Sequence, residues 1–325
     1  MIPPKTPQKF DENGQPVSGN QLTLRAPSGG APSMWDGHHA HDKSLVIIGL
    51  ESFGDTLMGA RVLTWVKQRV GTLYLVGPGE LSGIIDRLPV LDGYIPYDQP
   101  IVPVDYYLFM MEALQSLNIE ISTAPYLRAD SALEAAWAAK LPKRDPRILR
   151  VGLNWGGAAF RPQDHYRSIS IQDLAPVIET PNCEFYSLRI GENTLQDADE
   201  LPNPVIDFTP QIRDFDDTAS LIANLDVIIT TDTALVHLAG ALGVQTWLML
   251  PFDRLDWRWR FDEITYPSYP SFWYYNMQIF VQDVQGNWPF VINNICEALR
   301  IYANDPQSVS PAQTAARKIR QYRLN

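Results

Sequence analysis

The chain has 325 residues, of which 45% are hydrophobic, and a formal net charge of −11. At roughly 100–200 residues per domain that length suggests two domains with ordinary cores. The acidity excludes a nucleic-acid surface, which needs basic patches for its phosphates, so an anionic ligand must be held by a few placed Arg residues and backbone N–H groups. The two cysteines, Cys183 and Cys296, lie far apart and outside any CxxC or Cys/His pattern. They read as buried thiols of a reducing compartment rather than zinc ligands. The opening MIPPKTPQKF lacks the apolar segment of a secretion signal. No stretch approaches the ~18–20 apolar residues of a membrane span. A cytoplasmic protein is expected, with only peripheral membrane contact left open.

Residues 1–43 are rich in Pro, Gly, Gln, Ser and Asn, the composition of a flexible tail. His38, His39 and His41 near its end read as a solvated linker, since no further metal ligand is close in sequence. Order is expected from Lys43. Ser44–Leu50 is an apolar run of buried-strand length, and Asp55–Arg69 has helical spacing through Leu57, Met58, Val62, Trp65 and Val66. Leu73–Val76 reads as a strand, Pro78–Leu88 as a helix and Leu91–Tyr97 as a third strand, a βαβαβ series that implies a parallel sheet under helices. Tyr106–Leu117 reads as helical and Ser131–Lys140 as a helix. The charged, Pro-containing Leu141–Arg147 reads as an interdomain linker, so a first domain is placed at 44–146.

The pattern then restarts, placing a second domain at 147–302 and a terminal helix or tail at 303–325. Ile148–Trp155, Glu184–Ile190, Val205–Phe208, Asp226–Thr231 and Gln245–Leu250 read as strands. Ser170–Glu179 reads as a helix with a Ser170/Asp173 capping box. Asp214–Asn224 reads as a helix with Asp214 as N-cap, and Thr233–Leu242 as one ended by Gly243. The fold class expected is α/β, with two doubly wound Rossmann-like domains across a cleft.

Asp226–Leu250 is the sharpest segment. A buried strand ends at Thr231, and the chain turns through Asp232 and Thr233 into a helix. Ligands bind at such carboxyl ends of parallel strands, and a helix N-terminus suits a diphosphate. Asp232 itself reads as a cap or as an acceptor for ribose or sugar hydroxyls. His237 lies beside the Leu235–Leu238–Leu242 stripe, either as a satisfied half-buried histidine or facing the ligand. Asp214-Phe215-Asp216 spells D-x-D but opens a helix, so it reads as capping rather than metal binding. Gly77-Pro78-Gly79 fails the G-x-G-x-x-G spacing of a dinucleotide turn.

The segment Asp232–Gly243, D-T-A-x-x-H-L-A-G-A-L-G, resembles the nucleotide-sugar motif of heptosyltransferase-like (family 9-type) glycosyltransferases. It is especially similar to the glycosyltransferase domain fused to tetratricopeptide repeats in bacteria. APYLRAD (124–130) with Trp137, RVGLNWGG (150–157), RSISIQDLAPV (167–177), FDDTASLIANLDVII (215–229) and LPFDRLDWRW (250–259) follow in the family's order. The resemblance spans residues 45–300 and departs from the fused relatives in having no repeat array before it.

It implies a GT-B glycosyltransferase needing no metal or other cofactor. Such an enzyme moves a sugar, with inversion, from ADP-heptose or a UDP-sugar to a glycan or lipopolysaccharide-type acceptor. By position alone Gly54 reads as permitting a tight turn, and Asp55 as either a helix N-cap or a general base. The Ser52–Phe53–Gly54–Asp55 turn matches the family's acceptor side, with Asp55 as general base and Glu51 in reserve; the fused relatives carry E-Q-G-x-G-D there, so the upstream Gln and Gly are missing. The donor side falls on Asn154, Trp155, Gly156, Arg161, Arg167, Arg189, Asp232, Thr233, Ala234 and His237. Arg167 matches the family's R-S pair and is the first choice for the diphosphate, with Arg189 second. Asn154, Trp155, Gly156 and Gly157 read as a Gly-rich turn whose backbone approaches the donor, with Trp155 alternatively a core residue. Asp256-Trp257-Arg258-Trp259 reads either as a stacking surface for base or sugar or as a packing plug. A binding module that keeps the donor pocket without transferring is the alternative.

Overall fold

The computed structural model describes residues 9–10, 16–17, 24–49, 52–117, 119, 122–157, 167–191, 195, 201–252, 257–259 and 268–305. They form two compact units. The first holds the described residues up to Ser122 with Tyr126–Arg128, and the second holds Thr123–Pro125 and those from Ala129 on.

In the first unit a small antiparallel pair, β1 (Lys9–Phe10) and β2 (Pro16–Val17), precedes β3 (Ser33–Met34) and β4 (Ala40–Ile48). There follow α1 (Phe53–Gly59), α2 (Leu63–Lys67), β5 (Val70–Gly77), α3 (Ser82–Asp86), β6 (Gly93–Pro96), β7 (Tyr106–Phe109) and α4 (Met110–Ser116). The main sheet is parallel throughout, in the order β3-β7-β4-β5-β6. Counted from β4, its four main strands stand third, second, first, fourth. That is the order of a mononucleotide-binding half, with its topological switch point between β4 and β7.

Two expectations change here. Tyr106–Phe109 is a strand, in register with Leu45–Ile48. It runs straight into α4 with no turn residue between, and so short an apolar run cannot be told from a helix by period. The expected tail is also shorter than 1–43. Trp35 is only 2% exposed, and its backbone N–H donates to the Tyr107 carbonyl while that of Val104 donates to Arg25. These contacts place residues 24–43 in the first unit.

The second unit comprises α5 (Ser131–Lys140), β8 (Leu149–Asn154), α6 (Ala175–Ile178), β9 (Cys183–Ser187), β10 (Val205–Asp207), α7 (Phe215–Ile222) and β11 (Val227–Thr231). It continues with α8 (Ala234–Leu242), β12 (Gln245–Leu250), β13 (Ser268–Pro270), β14 (Met277–Val281) and α9 (Trp288–Asn304). The sheet order is β10-β9-β8-β11-β12-β14-β13, with β13 alone antiparallel. Counted from β8, the six parallel strands stand third, second, first, fourth, fifth, sixth, so the switch point lies between β8 and β11. Both of these strands are buried along their whole length, which is why they read as unbroken apolar runs.

The segment expected as a linker is fastened to this unit. Arg144 grips Asp226 with two bonds of 2.9 and 2.8 Å, and the same carboxylate accepts from the Arg150 backbone N–H at 2.7 Å. Helix α5 belongs here too, because the buried Trp137 Nε1 donates to Asp217 of α7 at 3.1 Å. The helix signals hold. Asp214 caps α7 by accepting from the Asp217 N–H at 2.9 Å. Ser170 and Asp173 bond reciprocally before a 3₁₀ turn that leads into α6. Gly243, at φ 82°, ends α8 with Val244 N–H on the Ala239 carbonyl and its own N–H on Gly240, the paired bonds of a left-handed cap. Strands β13 and β14 and helix α9 carry the unit beyond the elements foreseen. Both cysteines are free thiols, and burial pushes Cys183 up to about 12, away from the range of a reactive thiolate.

Candidate functional site

The carboxyl ends of β8 and β11 bring the predicted donor residues together. Asn154, the last residue of β8, is buried, and its Nδ2 donates to Thr230 Oγ1 at 3.1 Å and to Thr233 Oγ1 at 3.0 Å. One amide thereby ties both sides of the switch point. Thr233 is the N-cap of α8, yet its hydroxyl makes no capping bond to the helix. With that hydroxyl engaged by Asn154, the Val236 N–H donates to the Thr233 carbonyl at 3.1 Å, while the first-turn N–H groups of Ala234 and Leu235 have no side-chain cap. This is how a helix start receives an anion.

Arg167 adds a cation at the same place. Its Nη1 donates to the carbonyl of Asp232, so its guanidinium lies against the β11–α8 turn. Asp232 and Thr233 are partly exposed in that turn.

Arg189 follows the end of β9, the neighbour of β8. A Cβ built on Gly156 would stand 1.9 Å from Arg189 Nη1 and 2.5 Å from Ser168 Oγ. Any side chain at 156 would therefore displace the guanidinium, which gives that glycine a steric reason. Trp155 is a core residue, buried among Leu149, Ile169 and Phe185, with Arg189 standing 6.0 Å from its ring centroid. Its ring is therefore packing, as the core reading had it, and its backbone lies in the turn after β8. Arg161 lies outside the described residues.

His237 differs from the half-buried expectation. It is 4% exposed, stacks on Trp259 and shares a hydrogen bond with Tyr274. Trp259 is wholly buried, so of the Trp257–Trp259 cluster this ring is packing, and it packs within the second unit; Asp256 lies outside the described residues. The D-x-D at Asp214–Asp216 opens α7, with Asp214 as its N-cap and Asp216 in its first turn. Asp217 next to it is tied to Arg213 at 2.7 Å and to Trp137, and the Arg213 guanidinium holds its carboxyl down at about 2.

In the first unit the Ser52–Asp55 segment follows β4 at the other switch point. Ser52 is the N-cap of α1, Gly54 is buried in its first turn, and Asp55 is the acidic residue of that turn, half-buried. Asp55 is therefore not the cap. Ordinary helical backbone, rather than a tight glycine turn, carries it. Glu51 lies outside the described residues. His38 pairs with Asp36, and His39 Nδ1 stands 3.3 Å from His41 Nε2, both pairs at the surface. Among the described residues no three His, Cys, Asp or Glu side chains group to hold a metal, and no helix is long and apolar enough to cross a membrane.

Asn154 was legible as a residue of a Gly-rich turn, but its role as the tie between β8 and α8 was not. The signal available was an amide ending one strand and two threonines flanking the end of another.

No family model matches this chain. Protein FlbA of Caulobacter vibrioides (strain ATCC 19089 / CIP 103742 / CB 15) is 26% identical over 299 residues, covering 83% of this chain and 48% of the relative. The chain thus spans about half the length of that curated relative. Among solved structures, the family 9 glycosyl transferase of Veillonella parvula DSM 2008 aligns with a TM-score of 0.58 at 9% identity, over 84% of this chain and 99% of its own. The ADP-heptose LPS heptosyltransferase II of E. coli aligns at 0.54 with 13% identity, over 81% and 99%. The dodecameric iron-containing heptosyltransferase TibC, in complex with ADP-D-beta-D-heptose, aligns at 0.51 with 12% identity, over 82% and 78%. The fold is that of these GT-B-type glycosyltransferases, a pair of parallel α/β units.

Proposed function

We propose that the protein is a glycosyltransferase that takes a sugar from a nucleotide diphosphate donor without a metal ion. The observation that carries this reading is the set at the second switch point: an uncapped helix start, a cation on the adjoining turn and an amide that locks the two strands. That combination suits a diphosphate leaving group. A family 9 glycosyl transferase and a heptosyltransferase in complex with ADP-heptose, both of this fold, support the nucleotide-sugar part of the reading.

In the proposed reaction Asp55 takes the proton of an acceptor hydroxyl. The acceptor oxygen forms its bond to the anomeric carbon as the bond from that carbon to the diphosphate oxygen breaks. The electron pair leaves on the nucleoside diphosphate, where Arg167, Arg189 and the α8 amides receive the charge. One displacement inverts the anomeric centre. Asp232 accepts from ribose or sugar hydroxyls. The donor is ADP-heptose or a UDP-sugar, the acceptor a glycan of lipopolysaccharide type, and the compartment the reducing cytoplasm.

A second reading, a donor-binding module without turnover, is favoured by the position of Asp55, since a carboxylate in a helix's first turn is stabilising there without any chemistry. Transfer assays in EDTA separate the two. Wild type releasing nucleoside diphosphate from ADP-heptose or a UDP-sugar in the presence of acceptor, and Asp55→Asn failing to do so while binding donor normally, establishes the enzyme. Equal donor binding and no release by either protein establishes the module.

A further inference from the structure

His237 lies one turn into α8, the helix whose start is assigned above to the diphosphate. Its Nδ1 is 2.9 Å from the Tyr274 hydroxyl, and its ring lies nearly parallel to Trp259, with centroids 5.4 Å apart and planes 18° from one another. Tyr274 is buried flat against α8 at Gly240, where a Cβ would come within 2.5 Å of a ring carbon. Trp259 ends a short 3₁₀ turn, Trp257–Trp259, within the connection that leaves the carboxyl end of β12. The turn is held from other sides as well. Tyr269 donates to the Trp259 carbonyl at 3.1 Å, Trp273 Nε1 donates to the Arg258 carbonyl at 2.7 Å, and Trp273 meets Trp257 edge-on at 5.8 Å.

The connections after β11 and β12 are therefore clamped together through one imidazole. These strands are neighbours in the sheet. Ligands of open α/β sheets bind at the carboxyl ends of the strands, so both connections border the site.

We propose that His237 is a positioning residue: its stacked imidazole latches the Trp257–Trp259 turn onto α8 and so sets the wall of the donor site that this turn supplies. It does this by packing, not by touching the diphosphate. The inference rests on the donor site assigned above. It makes the aromatic face of His237, rather than its charge or proton, the property that matters.

The test compares His237→Phe, His237→Ala, Gly240→Ala and Tyr274→Phe by calorimetric titration with UDP, ADP and GDP. Near-UV circular dichroism follows the buried tryptophan stack, and thermal unfolding checks that each variant folds. Phe keeps the stack, so His237→Phe should bind within about threefold of wild type and keep the near-UV band. His237→Ala and Gly240→Ala, one removing the ring and the other pushing Tyr274 off the helix, should each lose about tenfold or more in affinity together with the band. Tyr274→Phe, which removes the same hydrogen bond and keeps both rings, should behave like His237→Phe. The proposal is overturned if His237→Phe binds as poorly as His237→Ala with its band intact, for the imidazole would then contact the donor. It is equally overturned if Gly240→Ala loses the band and binds normally. Absence of nucleotide binding by wild type would overturn the donor site itself. The latch then stands if His237→Ala and Gly240→Ala abolish the same band, and falls if they do not.

Discussion

Counted from β4 and from β8, four strands of each unit stand in one order, with a switch point between the first and the fourth of them. What the chain puts there differs. In the second unit the point is dressed with polar groups bonded to one another: Asn154 to both threonines, and Arg167 to the turn before α8. In the first unit β4 ends on Ile48 and Gly49, β7 ends on Phe109, and the acid in the first turn of α1 is Asp55. Topology supplies a place for a ligand in both, and side chains decide the chemistry. A set of donors and cations suits a leaving anion, whereas a carboxylate suits removal of a proton.

Each half of that comparison can be broken separately. The largest effect is expected in the first unit. Asp55→Asn should lower turnover by about 10²–10⁴-fold, the range of a lost general base, while the Kd for nucleotide stays within a factor of about two. If Glu51→Gln produces that loss and Asp55→Asn does not, the reserve acid is the base. In the second unit, Arg167→Ala should weaken nucleoside-diphosphate binding about 10–100-fold, as expected for a hydrogen bond to a charged group. A calorimetric Kd unchanged from wild type would remove Arg167 from the site. Gly156→Ala should act as an indirect loss of Arg189. Each single change should weaken binding about tenfold, and the double variant should be no worse than either, a non-additivity that a double-mutant cycle reads directly.

The smallest effect on function sharpens the contrast from outside both sites. Asp217→Asn should leave donor affinity alone and destabilise the second unit by about 1–2 kcal/mol through its bonds to Arg213 and Trp137. The sign of its pH dependence follows from the lowered carboxyl. Its contribution is complete above the usual value of 3.8 and disappears as pH falls to about 2. Denaturant melts of wild type and Asp217→Asn should therefore differ at pH 6 and converge near pH 2.

The alternation of apolar runs and helical spacing made two parallel α/β units legible. Buried parallel strands such as β8 and β11 announce themselves as unbroken apolar runs, and Thr233 and Gly243 mark both ends of α8. The domain boundary was less legible. Helix α5 looks like any helix after β7, and distant partners such as Asp217, eighty residues along the chain and bonded to the buried Trp137, and Asn224, bonded to the Glu134 carbonyl, assign it to the second unit. Strand β7 escaped for want of a turn before α4. Within the site, Asp232 and Thr233 could be placed at one turn because strand ends and helix starts are marked in sequence, whereas Arg167 was singled out by its match to the R-S pair. The burial of His237 was not, because the residues that cover it, Trp259 and Tyr274, come from chain far beyond α8.

The central claim is that the second switch point holds the donor's diphosphate. Its most direct test is calorimetric titration of wild type and Arg167→Ala with UDP, ADP and GDP in EDTA. The account predicts micromolar binding of one diphosphate by wild type without metal, weakened by the substitution. No binding of any of them, or binding that Arg167→Ala leaves untouched, would contradict it.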